Sequence, residues 1–125
     1  MSSSPNIENK LVETLPNHMQ LANFNGIVSN LLDNITPIEI TKGVSQYILW
    51  KNNDGKLTAI YKFEKNSKLP FLDEHNLFDE HIFVISGVFN DGNKKYKEGS
   101  FIINPKRTSH IPQSEEGCTI LVTNE

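Results

Sequence analysis

The apolar positions in the first part of the chain follow a helical period. Ser4 is a plausible N-cap, Pro5 suits a first helical position, and Pro16 ends the pattern. Apolar residues at helical spacing occur at four positions between these limits: Ile7, Leu11, Val12 and Leu15. The pattern predicts an N-terminal arm, residues 1–25, that contains a short amphipathic helix.

From about residue 26 the pattern changes to short apolar segments separated by Gly, Asn, Asp and Pro, which is typical of an all-β domain. Residues 44–50 and 57–63 flank the sequence Asn-Asn-Asp-Gly at 52–55, whose residues tolerate positive φ, so we predict a β-hairpin. Further strands are expected at 100–103 and 119–122. The sequence predicts one domain, residues 26–125, built as a small antiparallel sandwich or barrel.

Residues 82–89 form a strand that is apolar on both faces. Simple alternation places Ile82, Val84 and Val88 on the face of Glu80. It places three apolar residues on the opposite face: Phe83, Ile85 and Phe89. If Glu80 points into the barrel, the second set needs cover from the arm or from a second subunit, and we therefore predict a homodimer.

Composition and charge narrow the class of protein. The 125 residues are 37% hydrophobic, which is enough for one globular core without cross-links. The net charge is −3 and the 12 basic residues are scattered, so no nucleic-acid partner is predicted. The start of the chain lacks the features of a secretion signal, and no apolar run has the roughly 20 residues that cross a bilayer. We predict a soluble, cytoplasmic protein without membrane contact, and Cys118 alone forms no internal disulfide.

Four potential metal ligands lie close to strand and turn signals. Asp73 and His75 are two residues apart, so on a strand their side chains face the same way. Glu80 and His110 are predicted to reach the same point from adjoining segments. Together these residues predict a pocket of nitrogen and oxygen donors inside the barrel.

Two motifs around these residues resemble those of the cupin family. The first motif of the family is His-x-His, three or four residues, Glu, six residues and Gly. Its second histidine, its glutamate and its glycine correspond here to His75, Glu80 and Gly87. Its second motif is Gly, five residues, Pro-x-Gly, two residues and His, matched by Gly99 and by Pro105 with its following histidine. The sequence Phe-Asn-Asp at 89–91, together with residues 104–118, looks more narrowly like the ChrR-type cupins.

This resemblance implies a double-stranded β-helix, the cupin or jelly-roll barrel, with a divalent metal. The ChrR-like subgroup includes sensory domains of zinc-dependent anti-sigma factors and dioxygenases that cleave small diketones or hydroxyketones. His75, Glu80 and His110 would suit a facial iron site, while the addition of Asp73 would also suit manganese, zinc or nickel. A degraded site without metal is the alternative.

The chain departs from the family pattern at two positions. The first histidine of the family falls on Asp73, and the glycine of the second motif falls on Arg107. A shift by one residue would instead place Glu74 and Asn76 at the ligand positions and exclude His75. Loop length alone does not decide between these two alignments.

The sequence leaves two functions open. The first is a metal-dependent enzyme, similar to a dioxygenase, that acts on a small carbonyl compound, with candidate catalytic groups in Tyr61, Glu74 and Arg107. The second is a non-catalytic domain that binds or senses a small ligand, in which the two histidines are ordinary hydrogen-bonded residues. An anti-sigma role by itself is disfavoured, because residues 1–40 contain no cysteine for a zinc domain.

Overall fold

A computed structural model describes residues 26–124. The predicted helix of the N-terminal arm and the arm itself, residues 1–25, lie outside the described part. The chain divides into two units between Asn34 and Ile35. In the described part of the first unit, a short 3-10 helix occupies Leu32–Asn34. No helix among residues 26–124 has the length and apolar character needed to cross a membrane.

The second unit is built almost entirely from strands, as predicted. They are β1 Ile38–Thr41, β2 Val44–Lys51, β3 Leu57–Phe63, β4 Ser67–Lys68, β5 Asp73–Glu74, β6 Glu80–Asn90, β7 Lys95–Lys97, β8 Phe101–Asn104, β9 Ser109–His110, β10 Gln113–Ser114 and β11 Cys118–Asn124. Nine of them form one antiparallel sheet, which curves into a nearly closed barrel, and β5 and β9 form a separate ribbon of two strands.

The predicted hairpin is confirmed, with β2 and β3 paired antiparallel from Val44 opposite Phe63 to Lys51 opposite Leu57. Asn52 stabilises the turn, because its side-chain oxygen accepts hydrogen bonds from the backbone N–H groups of Asp54 and Lys56, both at 3.0 Å. This hairpin supplies one wall of the barrel.

The long strand β6 links the two halves of the barrel. It pairs with β8 over residues 80–83 and with β11 over residues 80–87, and its last residues pair with β7 and β10. Ile82 and Val84 face inward with Glu80, as predicted, and join the core. The buried hydrophobic residues of that core are Val44, Ala59, Ile60, Phe63, Leu69, Ile82, Val84, Phe89, Ile102, Cys118, Ile120 and Val122.

The prediction that Phe89 lies on the outer face of β6 is wrong, because Phe89 is fully buried. Thr119 of β11 lies opposite Ser86 and Ile120 lies opposite Val84, so β6 has one extra residue between them. This β-bulge reverses the alternation of side chains along the rest of the strand. Val88, expected inside, is only half-buried as a result.

The outer face of β6 is still apolar. Phe83 and Ile85 are 42% and 45% exposed, and Phe101 of β8 lies directly opposite Phe83. His81, which follows Glu80 and faces the opposite side of the strand, contacts Phe101 edge-on, with 5.7 Å between ring centroids. The homodimer stays a prediction that this face motivates.

Candidate metal centre

The β5–β9 ribbon brings two of the four predicted ligands together. Asp73 of β5 lies directly opposite His110 of β9 in the antiparallel register. His75 follows β5, and its backbone N–H donates to the carbonyl of Thr108 at 2.9 Å. Glu80 starts β6 in the main sheet, so the group joins the ribbon to the barrel wall.

The four side chains converge on one point. Glu80 Oε1 lies 2.9 Å from His75 Nε2 and 3.2 Å from His110 Nε2. Asp73 Oδ2 lies 3.4 Å from His75 Nε2 and 3.1 Å from His110 Nε2. One donor atom from each residue lies within 4.8 Å of all the others, and His75, Glu80 and His110 are buried. This is the arrangement that the spacing of the four residues predicted.

The charges of the group are strongly coupled. Burial by itself would raise the pKa of Glu80, but the close approach and the charges of His110 and His75 lower that pKa to about 2. Burial would lower the pKa of His110, yet Asp73 and Glu80 raise it to about 9. The close contact with Glu80 also raises the pKa of His75. The carboxylates therefore favour a positive charge, proton or metal ion, at the centre of the group.

The hydrogen bonding within the group fits a metal ion. Among residues 26–124, two buried side-chain polar atoms have no hydrogen-bond partner, His75 Nε2 and His110 Nδ1, and both belong to this group. His75 Nε2 is close to Glu80 Oε1, but the approach lacks the direction of a hydrogen bond. A buried nitrogen lone pair that faces carboxylate oxygens is repelled by them unless a cation lies between the two. The nitrogen and oxygen donors of the group suit a divalent metal ion.

Thr108 fixes the orientation of His75. Its hydroxyl donates to the carbonyl of Pro105 at 2.6 Å, so towards His75 Nδ1, 3.2 Å away, it acts as an acceptor. His75 therefore carries a proton on Nδ1, and in the neutral ring Nε2 presents its lone pair to the carboxylates. Metal-bound histidines are commonly held in this way through the other ring nitrogen.

The structure also distinguishes the two alignments that the sequence left open. Glu74 lies opposite Ser109 in the ribbon, and both Glu74 and Asn76 are exposed, whereas His75 points into the group. Arg107 is exposed as well, but its backbone N–H donates to the carbonyl of His75. Cys118 is buried, and burial raises the pKa of its thiol to about 11, so it is an unreactive core residue.

The backbone at Arg107 explains why the resembling motif has glycine there. Its φ is 77°, in the left-handed region that costs non-glycine residues about 1–2 kcal/mol. We expect Arg107→Gly to raise the free energy of unfolding by about 0.5–1 kcal/mol, after the greater freedom of glycine in the unfolded chain is subtracted. Urea denaturation measures this change.

Asn66→Gly is the matched control for this prediction. Asn66 also has positive φ, at 60°, but asparagine tolerates this conformation, so little gain is expected. An equal gain in both variants, or a loss in Arg107→Gly, would contradict the proposed strain at Arg107.

A cavity of about 220 Å³ inside the barrel opens onto the group. Its lining is apolar apart from two carboxylates, an imidazole, an amide and a phenol: Ile40, Gln46, Tyr61, Phe63, Leu69, Phe71, Asp73, Glu80, Ile82, Phe89, His110, Pro112, Ile120 and Val122. The volume is below the roughly 300–1,000 Å³ of pockets for drug-sized ligands, so it suits a molecule of few atoms.

Tyr61 is the predicted catalytic candidate that lies in this cavity. Its hydroxyl accepts a hydrogen bond from Gln46 Nε2 at 2.7 Å, and burial and then the charges of Asp73 and Glu80 raise its pKa. Tyr61 is therefore a neutral donor that faces the cavity. Glu74 lines a second space of about 370 Å³ that also borders the group, and Arg107 lines neither.

Sequence reasoning missed three residues that support the site: Gln46, Asn104 and Thr108. Asn104 lies opposite Glu80, and its side-chain amide donates to Glu80 Oε1 at 3.2 Å. Each of these contacts depends on strand register or loop shape, and spacing along the chain carries no signal for them.

Comparison with solved structures identifies the fold as a cupin. An RmlC-like cupin from Shewanella frigidimarina aligns with a TM-score of 0.66 and 17% identity over 77% of this chain and 87% of that one. The anti-sigma factor ChrR of Rhodobacter sphaeroides, solved with SigE, gives 0.64 and 20% identity over 85% of this chain and 55% of its own. Fe(II)-HppE with the alternative substrate (S)-1-HPP gives 0.63 and 11% identity over 81% and 61%.

The sequence then gives the family. Residues 31–125 match the ChrR cupin-like domain, so the chain belongs to that family, as the motifs predicted. The chain spans about half the length of ChrR, and the low identities make these likenesses ones of fold. A search of curated proteins found no match.

Proposed function

We propose that this chain binds one divalent metal ion through Asp73, His75, Glu80 and His110 and acts on a small carbonyl compound in a reaction similar to that of a dioxygenase. The observation that carries the proposal is the convergence of four donors around a buried, unpartnered His75 Nε2. HppE has a similar fold, and its structure with Fe(II) and an alternative substrate supports a metal site for catalysis in this fold. Iron, manganese, zinc and nickel all suit this donor set.

In this proposal the metal site, the apolar cavity and Tyr61 have different roles. A bound metal would polarise an oxygen atom of the substrate and, if redox-active, would also bind molecular oxygen at the same site. The apolar cavity would hold the rest of the substrate and exclude water. Tyr61, held by Gln46, would donate a hydrogen bond to a substrate oxygen. Glu74 and Arg107 are weaker candidates, because both are exposed.

Metal analysis tests the proposal. Protein purified without added metal is expected to hold about one divalent ion per chain, and His110→Ala to bind that metal at least about 100-fold more weakly, since it loses a coordinating atom. Elemental analysis and competition with a chelator measure the two quantities. His81→Ala is the matched control, because His81 lies on the same β6 strand as Glu80 but faces outward.

A non-catalytic binding or sensory domain is the alternative function, favoured by the match to ChrR and by an aspartate at the first ligand position. Metal-free wild-type protein, with His110→Ala as stable as wild type, would support this alternative. If metal binds, oxygen uptake by iron-loaded protein with a small diketone separates catalysis from binding alone.

A further inference from the structure

The net charge of the proposed metal centre follows from its four ligands. Coordinating imidazoles are neutral, so His75 and His110 contribute no charge to a loaded centre. Asp73 and Glu80 are carboxylates whose oxygens lie 3.1–3.4 Å and 2.9–3.2 Å from the imidazole nitrogens. Two negative charges balance a divalent ion, so the loaded centre has no net charge.

The surroundings of the centre add no positive charge. The lining of the barrel cavity contains no lysine or arginine among the described residues. The second space that borders the group, within the same described residues, also has no lysine or arginine in its lining and adds Glu74. Lys56 lies over the ring of Phe78, with its Nζ 5.8 Å from the centre of that ring, and lines neither space. An anion that reached the metal would therefore meet two carboxylates and no cationic side chain.

The cavity does offer hydrogen bonds to a neutral molecule. The Tyr61 hydroxyl accepts from Gln46, which leaves its own proton for a ligand oxygen. The remaining walls are mostly aliphatic and aromatic. These features suit a carbonyl or hydroxyl oxygen better than a carboxylate, which would need a charged partner to leave water.

We propose that Asp73 makes this centre selective for small uncharged ligands, because its carboxylate cancels the charge that would otherwise attract anions. This inference rests on the proposed metal binding. Without the Asp73 charge, the same centre would carry one net positive charge. A unit charge a few ångströms from a bound anion is worth well over a tenfold change in affinity at the effective dielectric of a protein interior.

Azide binding to cobalt(II)-loaded protein tests the role of Asp73, with the visible spectrum of the metal as the readout. We expect wild type to bind azide weakly and Asp73→Asn, which keeps an oxygen donor without its charge, to bind it at least about tenfold more tightly. Asp73→His, which supplies a third imidazole, should behave like Asp73→Asn. Glu98→Gln removes the same charge from an exposed residue that lines neither space, and it should leave azide affinity within about twofold of wild type.

The outcomes separate this inference from the function that underlies it. Failure of wild type to take up cobalt contradicts the proposed metal site and, with it, this inference. Normal cobalt binding with equal azide affinity in wild type and in both Asp73 variants overturns the charge role of Asp73 and leaves the metal site standing. An equal gain in Glu98→Gln also overturns it, since the effect would then come from surface charge in general.

Discussion

Gly87→Ala is expected to destabilise the barrel severely. A Cβ at this position would clash with the carbonyl oxygen of Gly117 and lie 2.8 Å from the Cα of Cys118, and neither backbone atom can rotate away. The φ of 77° adds the cost of left-handed backbone for alanine. Because Gly87 pairs with Cys118, the clash would part β6 from β11. We expect a loss of several kcal/mol against a total of about 5–15 kcal/mol, measured by urea denaturation.

Gly99→Ala is the matched control for this result. Gly99 has a φ of 87°, so alanine meets similar backbone strain, but no heavy atom lies within 4 Å of its added Cβ. A loss of about 1–2 kcal/mol is expected there. Equal losses in the two variants would mean that backbone strain alone, without the contact to β11, sets the cost.

Glu80→Gln is expected to abolish tight metal binding while the barrel stays folded. The side chain keeps its size and can still pair with Asn104, but it loses the charge that faces both imidazoles. We expect metal affinity to fall by at least about 100-fold, more than the loss from changing a residue that only supports a ligand. Chelator competition measures the affinity, and circular dichroism reports the fold.

Glu74→Gln gives the comparison for Glu80→Gln, since it is the same chemical change at an exposed residue of β5. Its metal affinity should match wild type. Unchanged affinity in Glu80→Gln, or equal losses in both variants, would remove Glu80 from the ligand set and leave Asp73 as the carboxylate.

Much of the fold follows from local patterns in the sequence. The hairpin at 44–63 follows from two alternating segments and a turn sequence between them, and the β6 positions of Ile82 and Val84 follow from alternation. The position of Phe89 does not, because one extra residue in β6 reverses the alternation. Gly87, a glycine inside a strand pattern, was a signal for such an irregularity.

The sequence predicted which residues form the candidate site, but not which contacts hold them in place. The spacing of Asp73, His75, Glu80 and His110 anticipated their convergence. The choice between His75 and the shifted alignment needed the register of β5 against β9, which depends on contacts distant in sequence. The same limit applies to Thr108, because its contact with His75 depends on a loop shape that the spacing does not specify.

The separation of the β5–β9 ribbon from the nine-stranded sheet has a consequence for how the site responds to its occupant. Asp73 and His110 sit on strands of two residues each, whereas Glu80 belongs to the longest strand of the barrel. Local opening of so short a ribbon would disperse the donors and leave the barrel intact. An ion bound by the four donors would link the β5–β9 ribbon to the nine-stranded sheet. Occupancy of the site and local order of the ribbon would therefore rise together by mass action.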